Sequence, residues 1–333
     1  MTIRDEAFRY YFYFIQERMD IFWKRYNGQT GKLTDDPILA KHKFTNVYRS
    51  QDRVSQYLIN NVIYNQTEQF TELDTILRIV VFKIFNNIDT WKFLESKYGV
   101  ISYRNFDVNK INALLLGRIQ ERPIFSAAYM MTGSHRKYDA WNFKHEKWLA
   151  MVSEELISQK GFDKILAAKS LQQVYEILLS TSFIGPFIAY QYAIDINYSE
   201  VINFDENSFV QAGIGSIRGI QKCFPERGKY TYEDCIRYTL ENFGRLQEKY
   251  GYSEFKDLFG RSPKLIDLQN CFCETDKYLR VKMPELLVDN VRIKQKFDKP
   301  KDNNIQFFFP PKWDINKHIK PCVTKSSQES IRF

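Results

Sequence analysis

The sequence predicts a mainly α fold, a single helical unit of two lobes with a cleft between them. Three observations carry this. Apolar residues recur at three- and four-residue steps in one segment after another, the period of a helix with one buried face. Runs with strand alternation are few and short. No internal repeat is visible. The 333 residues suit one large domain or two closely packed subdomains. A helical domain is expected over 1–288, followed by a basic tail over 289–333 that wraps the domain or is partly disordered.

Residues 7–26 form the first amphipathic helix, with Phe8, Tyr11, Phe12, Ile15, Met19, Phe22 and Tyr26 on one face and Asn27-Gly28 as its stop. Asp35-Asp36-Pro37 is turn chemistry. In 41–53, basic and polar groups crowd around Phe44. Thr45 or Asn46 caps a helix there. Arg49 and Arg53, four apart on one face, either pair with Asp52 and solvent or point toward phosphate or a polar base. Residues 73–87 are a strongly apolar core helix ended by Asn86-Asn87, and Trp91 and Phe93 start a short one that stops near Gly99. Helices follow over 108–119 and 146–159. Between them, 125–134 carries small and soft residues that pack closely or line a cavity.

Residues 170–182 and 187–194 make a helical hairpin around Gly185-Pro186, the proline standing where the first helical position tolerates it. Gln211 to Gly219 reads as a glycine-rich turn that, with Arg218, can approach a backbone or ligand closely. It lacks the Gly-Lys-Ser/Thr of a P-loop. Thr231 and Asp234 open a helix running to Gly251. Ser262-Pro263 opens the last long helix. Its polar side, with Asp267, Asn270, Glu274 and Lys277, is either solvated or the wall of a polar cleft. Phe307-Phe308-Phe309-Pro310-Pro311 is an isolated apolar patch in the tail.

Composition narrows the partners. The formal charge is +8 and the isoelectric point about 9.0, which favours a polyanion. Aromatic residues are 16% of the chain, enough for some to serve as stacking or wedge groups as well as core. No apolar run is long enough to span a bilayer, and the N-terminus has no cleavage-site pattern, so a cytoplasmic protein is expected. Five cysteines and four histidines show no metal-ligand spacing. Reduced thiols, no metal, no cofactor and a monomer are expected.

A tight turn between two helices points backbone N–H groups outward, which suits a phosphate oxygen. The candidate DNA contacts are therefore Gly185 and Phe187 at the hairpin, with Gly213, Gly215 and Arg218 of the later turn. A carboxylate one helix on, Asp205, can sit beside that phosphate and over a sugar. Breaking an N-glycosidic bond builds positive charge on the sugar, and one carboxylate can stabilise that charge and orient water. Hairpin and acid together resemble the helix-hairpin-helix DNA glycosylases, and that resemblance implies Asp205 as the catalytic acid; taken alone it caps a helix with Asn207 or Ser208. Asp195 and Glu206 are its rivals. A base inside a duplex must be flipped out to reach such an acid, with a side chain filling the gap.

Several stretches together resemble one family: Asp35-Asp36-Pro37-Ile38-Leu39, Phe44-Thr45-Asn46-Val47-Tyr48-Arg49, Asp52-Arg53, Phe85-Asn86, Gly185-Pro186-Phe187 with Ala189-Tyr190-Gln191, Gly213-x-Gly215-x-x-Arg218-Gly219, and Gln269-Asn270 with Cys273-Glu274 and Lys277-Tyr278. They resemble the helical domain found with 5-hydroxymethyluracil DNA kinases and in the α-glutamyl/putrescinyl-thymine pyrophosphorylase family, similar in turn to the helix-hairpin-helix DNA glycosylase fold. The resemblance covers roughly residues 7–285. It is nearest to a bacterial anti-phage branch that removes α-glucosylated 5-hydroxymethylcytosine and leaves abasic sites. It implies a monofunctional DNA glycosylase with modified phage DNA as its partner. Phe187 stands where bifunctional glycosylases place a nucleophilic lysine. The resemblance also implies a pocket for an oversized base, to which Phe44, Asn46, Arg49, Arg53, Gln191, Asn270, Glu274 and Lys277 are assigned. The usual hairpin has two glycines, and Ser182-Phe183 replaces the first. An enzyme that builds a hypermodified base and a silent reader of modified DNA are the alternatives.

Overall fold

The computed structural model describes residues 1–65, 69–126, 132–292, 296 and 305–320. Among them the architecture is all α: fourteen α-helices joined by short 3₁₀ and π turns, with only isolated β-bridges. In order these are α1 (Asp5–Tyr26), α2 (Pro37–Lys41), α3 (Arg53–Tyr57), α4 (Glu72–Phe85), α5 (Ile88–Lys97), α6 (Val108–Glu121), α7 (Lys144–Met151), α8 (Gly161–Leu166), α9 (Leu171–Leu179), α10 (Pro186–Asn197), α11 (Ile214–Cys223), α12 (Tyr232–Glu241), α13 (Phe243–Tyr250) and α14 (Leu265–Lys282).

Local chemistry explains most boundaries. Asp36 Oδ1 accepts the N–H groups of Ile38 and Leu39, each at 2.8 Å, so the turn expected at 35–37 starts α2. Thr71 with Asp74, and Thr231 with Asp234, form reciprocal capping boxes for α4 and α12. Asn86 takes the left-handed conformation at φ 46° and ends α4. The helix expected over 231–251 is interrupted: Asn242 Nδ2 donates to the Tyr238 carbonyl at 2.8 Å, closing α12 before α13 begins.

The hairpin is α9 and α10. Phe183 adopts φ 67°, a conformation that favours glycine. Its ring is nearly buried and stacks on Trp148 at 5.2 Å, so packing holds the strained backbone. Ser182 donates both its N–H and its hydroxyl to Glu155, and the Ile184 N–H goes to the Thr181 carbonyl. Two N–H groups of the turn are therefore already used inside the protein.

Residues 211–219 differ from the glycine-rich turn expected there. Only the approach to Gly213 is loop; α11 starts at Ile214. Gly215 and Gly219, one turn apart, form the face that meets α14. A Cβ on Gly219 would overlap the Phe272 carbonyl oxygen, and one on Gly215 the Cys273 sulfur. The glycines permit helix contact rather than a bend.

α14 is the central strut. Tyr11 of α1 stacks on Phe272 at 4.2 Å and donates to the Leu268 carbonyl at 3.2 Å. The tail packs where it is described: Phe309 is fully buried, Trp313 lies edge-on to Tyr198, and Lys312 donates to the carbonyls of Ser199 and Ile202.

Gly219→Ala should force α11 off α14, because the obstacle is backbone. Urea unfolding should show a loss of roughly 2–3 kcal/mol, the upper part of the range for overpacking.

Candidate functional site

A cavity of about 700 Å³ opens between the N-terminal ends of α10 and α11, one side of α14, and the 43–52 segment. That volume lies within the roughly 300–1,000 Å³ of small-molecule sites. α14 contributes Gln269, Cys273, Lys277 and Arg280, a stripe at helical spacing. The last helix thus walls a cleft, but of the polar face expected to do so (Asp267, Asn270, Glu274, Lys277) only Lys277 is in the lining. Asp267, Glu274 and Asp276, beside that stripe, are 1–3% exposed and each has a cationic or backbone partner. From the other elements come Phe44 and Thr45, Phe187, the run Gly213 to Ser216, and Arg218.

Among the described residues, Asp52 is the single carboxylate in this lining. Its Oδ1 accepts the Asn46 N–H at 3.0 Å and the Asn46 side-chain amide at 3.2 Å. Removal from water pushes the carboxyl up to about 6, with the Glu274 charge adding to the rise and the Asn46 hydrogen bond opposing it. Cationic side chains dominate the remaining polar wall. Arg218 holds Asp289 bidentately, Lys277 holds Glu274 at 2.8 Å, and Arg280 holds Asp276. Burial alone would lower the Lys277 ammonium, but Glu274 and the neighbouring Cys273 sulfur raise it above its ordinary value, so it stays charged.

The structure distributes the expected site residues over four places: the cavity lining, the layer behind it, the core, and the exposed surface outside it. Phe44, Lys277, Phe187, Gly213, Gly215 and Arg218 line the cavity together. Asn46, Asn270 and Glu274 stand behind its wall. Glu274 accepts the Thr45 N–H at 3.0 Å, and Asn270 donates to the Thr45 hydroxyl and the Asn46 carbonyl. These bonds hold 44–46 extended rather than as a helix cap.

Arg49 and Gln191 are in the core. Arg49 grips Asp195 through both terminal nitrogens, at 2.6 and 2.9 Å, and donates from Nε to Gln191 at 2.7 Å. Lys83 reaches the same carboxylate at 3.4 Å. Burial alone would raise Asp195, but the two cations outweigh it and hold the carboxyl below its usual range. Glu206 is likewise sealed against Arg261 at 2.7 Å, and that guanidinium lies on the Trp313 ring. Asp205 is exposed in a turn. Its Oδ1 accepts the Asn207 N–H at 2.9 Å, and it is outside the cavity lining. Gly185 and Arg53 are exposed and also outside it. Of the soft stretch 125–134, Ser126 lines the cavity and 127–131 lie outside the described residues.

Sequence reasoning named Asp52 as a partner for Arg49 and Arg53, and Asp52 and Gln269 as motif residues, but assigned neither of them nor Ser216 to the site. The α14 stripe was available as a spacing signal. Asp52 was not, because its desolvation comes from segments far apart in the chain.

Among the described residues no group of three or more His, Cys, Asp or Glu could hold a metal ion, and no helix is long and apolar enough to cross a membrane. The profile of the family described as "5-hmdU DNA kinase, helical domain" matches residues 5–287. The chain belongs to this family. A 5-hmdU DNA kinase of Bacillus phage SP10 is 24% identical over 285 residues, which are 80% of this chain and 44% of that relative. The chain therefore matches less than half of that protein's length. No solved structure matches significantly.

Asp52 gives the site a pH signature. Its carboxyl titrates near 3.8 when unfolded and near 6 when folded, so the native state binds more protons between those values. The contribution of Asp52 to stability is then fully present below the lower value and is lost as pH rises through about 6, with Asp267 acting in the same direction and the depressed Asp195 in the opposite one. Urea midpoints measured from roughly pH 4 to pH 7 should show this as a difference, the wild type losing stability relative to Asp52→Asn as pH rises through that range.

Proposed function

We propose that this chain is a DNA-processing enzyme of the modified-base class, a monofunctional glycosylase that hydrolyses the N-glycosidic bond of a hypermodified base flipped into the cavity. The observation that carries the reading is Asp52: one desolvated carboxylate in a roomy cavity whose other charged side chains are cations. Ionised above about pH 6, it is placed to stabilise positive charge building on the sugar and to orient a water. The C1′–N bond breaks, the water oxygen bonds to C1′ and keeps one proton as the new hydroxyl, and the other proton goes to the departing base. The cations suit the phosphates of the flipped nucleotide. The cavity volume suits a base with a sugar attached, such as α-glucosyl-5-hydroxymethylcytosine in phage DNA, and base removal there would serve anti-phage defence.

Asp205 is the competing acid. For it to act, the nucleoside must lie over the exposed 204–208 turn instead of in the cavity. Two variants separate these cases on glucosylated phage DNA, with released base read by mass spectrometry. Asp52→Asn should lower base release by at least about a hundredfold while DNA binding survives, and Asp205→Asn should leave release near normal. The reverse result would move the catalytic role to position 205. Release by the wild-type protein should rise with pH around 6 and then level off.

The name of the phage relative favours a second reading, an enzyme that modifies a base and leaves it attached. Product analysis decides it: a mass-shifted base still in the strand, with no abasic site.

Phe187 and Ile214, 44% and 68% exposed, stand at the cavity as large apolar side chains facing solvent. They are suited to fill the gap left by a flipped base. Ile214→Ser should slow release from duplex DNA by about tenfold and affect single-stranded DNA much less, since a single strand needs no unstacking against a partner.

A further inference from the structure

The cavity contains an oxyanion-shaped gap in its hydrogen bonding at the start of α11. Gly213 caps this ten-residue helix and has no side chain to satisfy the N–H groups of Ile214, Gly215 and Ser216. The Ser216 side chain is fully buried, lies in the cavity lining, and its hydroxyl has no hydrogen-bond partner among the described residues. An orphaned buried hydroxyl is costly unless something occupies the space it faces. Beside it, the Gln269 amide nitrogen lies only 3.2 Å from where a Gly213 Cβ would be, so glycine is what lets that donor reach the helix end. Gln269 is 3% exposed and lines the same cavity.

Donors therefore converge: first-turn N–H groups at the positive end of a helix dipole, the unpartnered Ser216 hydroxyl and the Gln269 amide. Arg218, one turn further along α11, supplies charge. In this structure Asp289, an exposed carboxylate from beyond α14, occupies its guanidinium bidentately. The hairpin offers less, because the Ser182 and Ile184 N–H groups donate internally and Pro186 has none.

We infer that the N-terminus of α11, with Ser216, Gln269 and Arg218, is a phosphate-binding subsite of the cavity, and that Asp289 is a competing internal anion which the ligand displaces from Arg218. This rests on the reading of the cavity as a nucleotide site and deepens it, by giving the bound nucleotide an anchored phosphate. Two sources share that chemistry: a backbone diester flanking the flipped nucleotide, or a phosphate carried on the base substituent.

The first test needs no turnover. Inorganic phosphate is titrated into the 333-residue chain and followed by calorimetry. Saturable millimolar or tighter binding is expected, at least tenfold weaker in Ser216→Ala and severalfold tighter in Asp289→Asn. Ser216→Ala removes only an unpartnered hydroxyl, so it should fold with unchanged or higher stability. Asp52→Asn should bind phosphate at least as well as wild type even where base release is lost, which separates failure of this site from failure of the glycosylase reading. Competition then identifies the source. Displacement by an abasic oligonucleotide assigns the backbone. Displacement by a 5-hydroxymethyl-deoxyuridine nucleoside phosphorylated on the base, with no backbone phosphate, assigns the substituent. Absence of saturable phosphate binding, or binding that Ser216→Ala leaves untouched, overturns the inference.

Discussion

The contact between α11 and α14 is the constraint on which the site depends. Two glycines one turn apart remove the side chains that would hold the helices at an ordinary separation, so the α11 backbone lies directly on α14. Everything at the cavity follows from that approach. It sets Gly213 to Ser216 beside Gln269 and Cys273, turns the α14 stripe into a wall, and aims the α11 N-terminus into the space between. A wider separation would keep the helices and lose the site.

Buried ion pairs hold the other walls. Arg49 joins Asp195 of α10 to the segment before α3, and Lys83 ties in α4. Lys222 of α11 pairs with Asp276 of α14 at 2.9 Å, both about 1% exposed. Such pairs contribute little net stability, but removing one partner typically costs about 3–5 kcal/mol because the other charge is left unpaired. They fix which helix lies against which. Asp52 is the exception. It has amide partners but no salt bridge among the described residues, and it faces a cavity. That is why its carboxyl rises while that of Asp195 falls.

The helical class and most long helices were legible in the chain; Phe44 and Lys277, assigned to a base pocket, and Phe187, Gly213, Gly215 and Arg218, assigned to DNA contacts, line one cavity that the sequence did not reveal as one. Periodicity reports a buried face, and the motif residues cluster because they share a function of place. Two kinds of information were not legible. The glycines of α11 looked like a turn, since a sequence does not say whether a missing side chain serves a bend or a neighbouring backbone. The inward role of Arg49 and Gln191 was also hidden: a charged residue reads as surface or ligand contact until its partner, 146 positions away in the case of Asp195, is known. Asp205 attracted attention by its place after the hairpin, whereas the chemistry of a carboxylate depends on what surrounds it.

The central claim is that the cavity at α11 and α14, not the exposed turn at 204–208, receives the nucleotide. A crystal structure of the Asp52→Asn protein with a duplex bearing one glucosylated hydroxymethylcytosine tests it most directly. The account predicts the modified base inside the cavity, its C1′ beside position 52. A base that stays stacked in the duplex, or one that lies against Asp205 with the cavity unfilled, would contradict it.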